Sequence, residues 1–218
     1  MGTNNKTSEV ALLEQWRVAL ENAENQSLIA SLMAETGYGA ETIAEGKNLL
    51  IQTRGVFNLN QTEDNETSES HSMFKNAKAA LENAYRIHRK KARVVFLNEE
   101  VILHRLGIDG PVPRAYIKWI ETIKKFYTEA ADREIQTRLA RLKVTPEEIV
   151  SGADMVSAVE IARANYLREV GESQDATKAK DDAMAKMENW MSDFYAVARI
   201  ALEDHPQLLE ALGKTVKS

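Results

Sequence analysis

Two stretches decide the fold. Ala77–Gly107 reads AKAALENAYRIHRKKARVVFLNEEVILHRLG, and Ala183–Gly213 reads AMAKMENWMSDFYAVARIALEDHPQLLEALG. The second is the first moved forward by 106 positions without a gap (77 + 106 = 183; 107 + 106 = 213). Ala77, Ala79, Glu82, Asn83, Ala92, Arg93, Leu106 and Gly107 fall on Ala183, Ala185, Glu188, Asn189, Ala198, Arg199, Leu212 and Gly213. Elsewhere the substitutions keep apolar character, as with Leu81 and Met187 or Ile102 and Leu208. The same offset carries Glu41, Ile43 and Gly46 onto Glu147, Ile149 and Gly152. The pattern predicts an all-α chain built by tandem duplication of a helical-bundle unit, with three long helices and one short helix per repeat and pseudo-two-fold symmetry. Repeat 1 spans 1–107, a linker 108–113, and repeat 2 114–218.

Within Ala183–Gly213, Met184, Met187, Met191, Phe194, Ala198, Ala201, His205, Leu208 and Leu212 alternate steps of three and four. This is the seam of a helical bundle or coiled coil. The same register in the first stretch gives Lys78, Leu81, Tyr85, His88, Ala92, Val95, Glu99, Ile102 and Leu106, which introduces polar groups at 78, 88 and 99.

Working outward, Ser8 is an N-cap for a first helix to about Glu35, closed by Thr36-Gly37-Tyr38-Gly39. A second helix is expected from Ala40 to about Leu59, and a third from Met73 to Leu97. The polar, acidic segment Asn58–Ser72 between them reads as a mobile loop. Gly46 lies inside the second helix, where glycine costs roughly 1 kcal/mol against alanine. Its recurrence as Gly152 points to a close crossing that a Cβ would obstruct. A break is expected near Asn98 and near Asp204, each followed by a short helix ending at Gly107 or Gly213. Ile108-Asp109-Gly110-Pro111-Val112-Pro113 cannot continue a helix. The second copy then runs Arg114–Leu142. Next comes a strong helix start at Thr145-Pro146-Glu147-Glu148, with a threonine cap, proline in the first turn and glutamate reaching back. Glu169–Ala176 reads as a second acidic loop.

Composition limits the function. The 218 residues contain no cysteine, so disulfides, zinc–thiolate sites and cysteine catalysis are excluded. Glycine (10) and proline (4) are scarce, which favours helix. A net charge of −5 gives no general attraction to nucleic acid or an anionic membrane. No apolar run approaches the ~20 residues that cross a bilayer. Met1–Glu9 is polar and lacks the apolar core of a signal peptide. The chain is read as cytoplasmic and bacterial. The sequons at Asn5, Asn25, Asn60 and Asn65 are read as chance occurrences.

The densest basic run is Arg86, His88, Arg89, Lys90, Lys91 and Arg93. Helical spacing puts Arg86, Arg89, Lys90 and Arg93 on one face and turns His88 and Lys91 away. The second copy reads Ser192, Phe194, Tyr195, Ala196, Val197 and Arg199, so the charge belongs to one repeat. The preferred reading is a solvated face paired with the acidic 63–69 segment. The alternative makes the four residues a binding face for an anion or nucleic acid. His88 is expected as a buried structural histidine, and the Met184-Met187-Met191 stripe as core. Glu100 and His104 form an i,i+4 surface pair rather than a metal site.

No catalytic residue, cofactor or metal site is expected. The leading functional reading is a non-enzymatic scaffold or protein-interaction module with an unknown protein partner or self-association. The alternatives are anion or nucleic-acid binding through the basic face, or an enzyme with a pocket between the repeats.

Overall fold

The computed structural model describes residues 8–214. The Asn5 sequon and most of the polar Met1–Glu9 lead lie outside them. The described residues form α1 (Glu9–Asn25), α2 (Ser27–Glu35), α3 (Ala40–Val95), α4 (Glu100–Arg105), α5 (Tyr116–Ala130), α6 (Arg133–Leu139) and α7 (Pro146–Ala201). Short 3-10 turns cover Ala140–Leu142 and Pro206–Leu209, and no strand occurs among the described residues. None of these helices is long and apolar enough to cross a membrane.

The expected loops are helix. α3 and α7 each run unbroken for 56 residues, through Asn58–Ser72 and through Glu169–Ala176. The acidic segment therefore does not fold back on the basic run: Glu69 and Arg86 are 17 residues apart on one helix, about 25 Å along its axis. The sequence misleads here because inward positions are polar. Thr53, Asn60, Ser70 and Glu169 are buried without contributing to an apolar period. Bonds across the helix pair and along it satisfy them: Asn60 Nδ2 donates to Thr177 Oγ1 at 3.1 Å and Thr67 Oγ1 to the Glu169 carbonyl at 3.0 Å, while Ser70 Oγ donates to the Thr67 carbonyl at 3.0 Å and Thr53 Oγ1 to the Leu49 carbonyl at 2.8 Å on their own helix. A satisfied buried polar group costs little, whereas an orphaned one costs about 1–3 kcal/mol, so the helix persists where hydrophobicity fades. No glycine or proline interrupts either segment apart from Gly171.

Two helices expected to be continuous are broken. Ser8 caps α1 as anticipated, its side chain accepting from Ala11 N at 3.2 Å, but Gln26 takes an extended conformation and separates α1 from α2. Asp132 does the same within 114–142, its carboxylate accepting from Glu134 N at 2.9 Å and Ile135 N at 3.2 Å to start α6. Glu99, not Asn98, precedes α4, and His205, not Asp204, precedes the last 3-10 turn. Neither uses its side chain as a cap. The terminating glycines behave as expected: Gly37, Gly107 and Gly213 have φ of 89°, 66° and 77°, the left-handed region that suits glycine at a helix end. Thr145 and Glu148 form the reciprocal cap at the head of α7, with Glu148 N on Thr145 Oγ1 at 3.3 Å and Thr145 N on Glu148 Oε2 at 3.1 Å.

The chain packs as two compact units, one of them assembled from two separate stretches and the other continuous. Unit 1 is Met1–Asp64 with Glu172–Ser218, and unit 2 is Asn65–Gly171. Unit 1 gathers α1, α2, the start of α3 and the end of α7. Its core includes Leu13, Leu20, Ile29, Met33, Ile43, Met187, Met191, Phe194, Ala198 and Leu212. Unit 2 gathers the end of α3, α4, α5, α6 and the start of α7. Its core includes Leu81, Tyr85, Ala92, Phe96, Leu106, Ile120, Phe126, Tyr127, Ile135, Leu139, Ile149 and Val156. Both seams read from the sequence are thus buried, and Met187 and Met191 are core residues.

Two of the glycines inside the long helices, Gly46 and Gly152, mark close approaches. A Cβ on Gly46 would lie 2.6 Å from Cζ2 of Trp190, and one on Gly152 would lie 2.6 Å from Cδ1 of Tyr127. In each case an aromatic ring from another helix rests on bare backbone.

Candidate functional site

The basic run lies on the unit 2 part of α3. Arg86, Arg89, Lys90 and Arg93 all line one open groove of about 890 Å³. The structure adds two cations, Lys78 on the same helix and Arg114 just beyond the linker. Glu82 is the one carboxylate among the lining residues, and Lys78 Nζ meets it at 3.3 Å. The floor and far wall are apolar: Tyr85, Val94 and Leu97 from α3 and its end, Val112 and Pro113 from the linker, and Trp119 from α5. The groove is therefore walled by both sequence halves inside a single unit.

The four expected residues do not all do the same thing. Arg86, Lys90 and Arg93 are solvent-exposed. Arg89 is half-buried, and one terminal nitrogen donates to the Gly110 carbonyl and, at 3.4 Å, to that of Ile108. It pins the linker against α3 and so positions the wall that carries Val112 and Pro113. Its Nε is buried without a hydrogen-bond partner, as is the Tyr85 hydroxyl. Burial raises the Tyr85 pKa, and the adjacent Arg89 guanidinium opposes that rise without reaching hydrogen-bond geometry.

Residues expected to point away from this face do so. Lys91 Nζ donates to the Lys143 carbonyl at 3.1 Å. His88 is buried, with Nδ1 3.1 Å from the Tyr127 hydroxyl and Nε2 3.9 Å from Glu148 Oε2. Burial holds its pKa below the ordinary histidine value; Glu148 opposes the shift and Lys91 adds to it. His104 pairs with Asp109 at 3.0 Å rather than with Glu100, because α4 ends at Arg105 and the turn after Gly107 returns Asp109 to it.

Lys78, Arg114, Trp119 and the linker wall carried no signal as a group in the sequence. Their approach depends on how α5 and the linker fold onto α3. Two signals were nonetheless present: Lys78 is a charge in a seam position, and Pro111 and Pro113 stiffen the segment that becomes the wall.

No family model, curated protein or solved structure matches this chain.

Proposed function

We propose that the chain is a binding module rather than an enzyme, and that its working surface is the basic groove of unit 2, which takes an anionic ligand. The observation that carries this reading is the convergence of six cations, Lys78, Arg86, Arg89, Lys90, Arg93 and Arg114, around one groove with Glu82 as the opposing carboxylate. In a chain of net charge −5, such a concentration creates a local positive field that the whole protein lacks. The lining supplies no histidine and no serine beside a base, so a binding role uses what is there and a catalytic one does not.

We further propose that 1–107 and 114–218 are copies of one ancestral unit joined by 108–113, with the pseudo-two-fold relation that implies. Support comes from element bounds: α3 at 40–95 and α7 at 146–201 differ by the offset of 106 at both ends. Ile29 and Ile135, Met33 and Leu139, Leu50 and Val156, and Ala92 and Ala198 are buried in pairs at that offset. Left-handed backbone recurs at Gly37 and Lys143 and at Gly107 and Gly213. One departure stands out: Gly46 meets Trp190 on α7, whereas Gly152 meets Tyr127 on α5. On this reading the groove arose in one copy after duplication.

Calorimetric titration with inorganic polyphosphate tests the groove. Binding is expected at low salt and is expected to weaken steeply as salt rises. Arg86→Glu with Arg93→Glu is expected to lower affinity by tenfold or more, on the order of 1.4 kcal/mol. Arg89 is left intact because reversing it would also release the linker. Unchanged affinity in the double variant would overturn the reading.

A further inference from the structure

We propose that the anionic ligand is an acidic amphipathic helix of a partner protein, laid along α3 in the unit 2 groove. This rests on the groove being an anion site at all, and it goes on to name the class of molecule that occupies it.

Three features select a helix over a small anion or a nucleic acid. The first is length. The lining runs from Lys78 on α3 to Leu97 just past its end, a span of 19 residue steps or about 28 Å at helical rise. A metabolite fills only part of such a trough, while a helix of about five turns matches it.

The second is the kind of apolar surface. The exposed apolar side chains of the groove are aliphatic: Val94 is 62% exposed, Leu97 71% and Val112 39%. The two aromatics are buried, Tyr85 at 2% and Trp119 at 4%, with the Lys78 ammonium 5.2 Å above the Trp119 ring. Single-stranded nucleic acid binds through exposed aromatic faces on which bases stack. Here those faces are covered, and what is offered suits leucine-like side chains.

The third is spacing. Arg86, Lys90 and Arg93 recur at steps of four and three, one cation per turn. Val94 and Leu97 continue beside them at a step of three. A partner helix with carboxylates at i, i+4 and i+7 beside an apolar stripe at the same period meets both rows at once.

The test uses the full chain and four probes: a glutamate–leucine peptide of about 20 residues patterned as an amphipathic helix, the same composition permuted to destroy the apolar face, inorganic polyphosphate, and a single-stranded oligonucleotide. The patterned peptide is expected to bind at least about tenfold more tightly than the permuted one. Leu97→Ser, at an exposed position and without added charge, is expected to weaken the patterned peptide by about tenfold and polyphosphate by far less. Equal binding of the two peptides with polyphosphate binding intact would overturn the helix assignment and leave the anion groove standing. An oligonucleotide that binds more tightly than the patterned peptide would assign the groove to nucleic acid and overturn the proposal. A concentration-dependent doubling of mass that Arg86→Glu with Arg93→Glu abolishes would seat a second copy there, with the same consequence. Failure of all four probes would remove both the helix assignment and the groove reading beneath it.

Discussion

In unit 1 the closing turns of α7 place Phe194, Tyr195 and Ala196 in a row. In unit 2 the closing turns of α3 place His88, Arg89 and Lys90. The unit 1 residues fill space. Phe194 is buried and stacks on Trp190 with centroids 5.7 Å apart. The Tyr195 hydroxyl donates to the Leu212 carbonyl at 3.2 Å, and burial pushes its pKa up to about 12. Lys214 lies over the Tyr195 ring at 3.9 Å. Gln15 and Asn22 on α1 donate to the carbonyls of Gly213 and Ala211, both at 2.7 Å, and seat the terminal segment. A cavity of about 270 Å³ remains beside these groups. In unit 2 Arg89 fastens the segment that follows Gly107, and a far larger groove of about 890 Å³ lies beside it. Aromatic fill closes one helix end, and charge with a pinned linker leaves the other open. The binding role proposed for unit 2 rests on this difference in side chains.

The comparison can be broken at several points, and the largest expected effect is at the glycines. Gly152→Ala forces a methyl group into the Tyr127 ring, which is 1% exposed and has nowhere to go. A loss of about 3 kcal/mol is expected, at the upper end for overpacking. Trp190 is only partly buried and can swing aside, so Gly46→Ala is expected to cost about 1 kcal/mol, with part of the clash offset by alanine's helix propensity. Thermal and urea denaturation of the two variants measures the difference. Equal losses would mean that the two crossings are equally rigid.

His88 comes next. His88→Phe copies the residue found in unit 1 but strands the buried Tyr127 hydroxyl, a cost of about 1–3 kcal/mol. It also changes the pH response. The folded-state pKa of His88 lies below its ordinary 6.5, so on acidification the unfolded chain takes up the proton first. His88 therefore removes stability as pH falls from about 6.5 towards its depressed folded value, and contributes no such loss above that window. The variant is expected to lose that part of the slope. The Asp109, Asp132 and Glu99 carboxylates, each held low by partners, act in a separate window below the ordinary carboxylate range. Chemical denaturation from pH 7.5 down to about 5 separates the two windows. An unchanged slope in the variant would count against a neutral buried histidine.

Smaller effects sharpen the contrast. Lys214→Ala removes a cation from a partly buried ring in unit 1 and is expected to cost about 0.5–1 kcal/mol in urea denaturation. Arg86→Glu with Arg93→Glu touches exposed side chains and is expected to move stability by no more than about 0.5 kcal/mol while removing binding.

Where the sequence uses strong local chemistry, its reading matches the structure. The Thr145–Glu148 cap, the glycine stops, the bare backbone at Gly46 and Gly152, and the apolar seams each depend on a few neighbours along the chain. The same holds for the grouping of Arg86, Arg89, Lys90 and Arg93, since one turn of helix puts them on one side. The misreadings share a cause. Thr53, Asn60, Thr67, Ser70 and Glu169 look like loop residues until their partners are known, because a hydrogen bond across a helix pair or back along a helix leaves no period in the sequence. Gln26 and Asp132 break helices through backbone and side-chain bonds that outcompete modest propensities. The groove was half legible: its cations are local, but its far wall depends on Arg89 reaching the carbonyls of Ile108 and Gly110. The joining of the two ends of the chain into unit 1, around a continuous unit 2, was not legible at all, because continuous helices across Asn58–Ser72 and Glu169–Ala176 are what make it possible.

Amide chemical-shift mapping of the full chain during titration with inorganic polyphosphate tests the central claim most directly. The account predicts saturable, salt-reversible shifts along α3 from Lys78 to Leu97 and along the linker wall from Val112 to Arg114, with the Ser192–Arg199 stretch of unit 1 left quiet. Shifts of equal size in both stretches, or shifts that miss Arg86–Arg93, would contradict it.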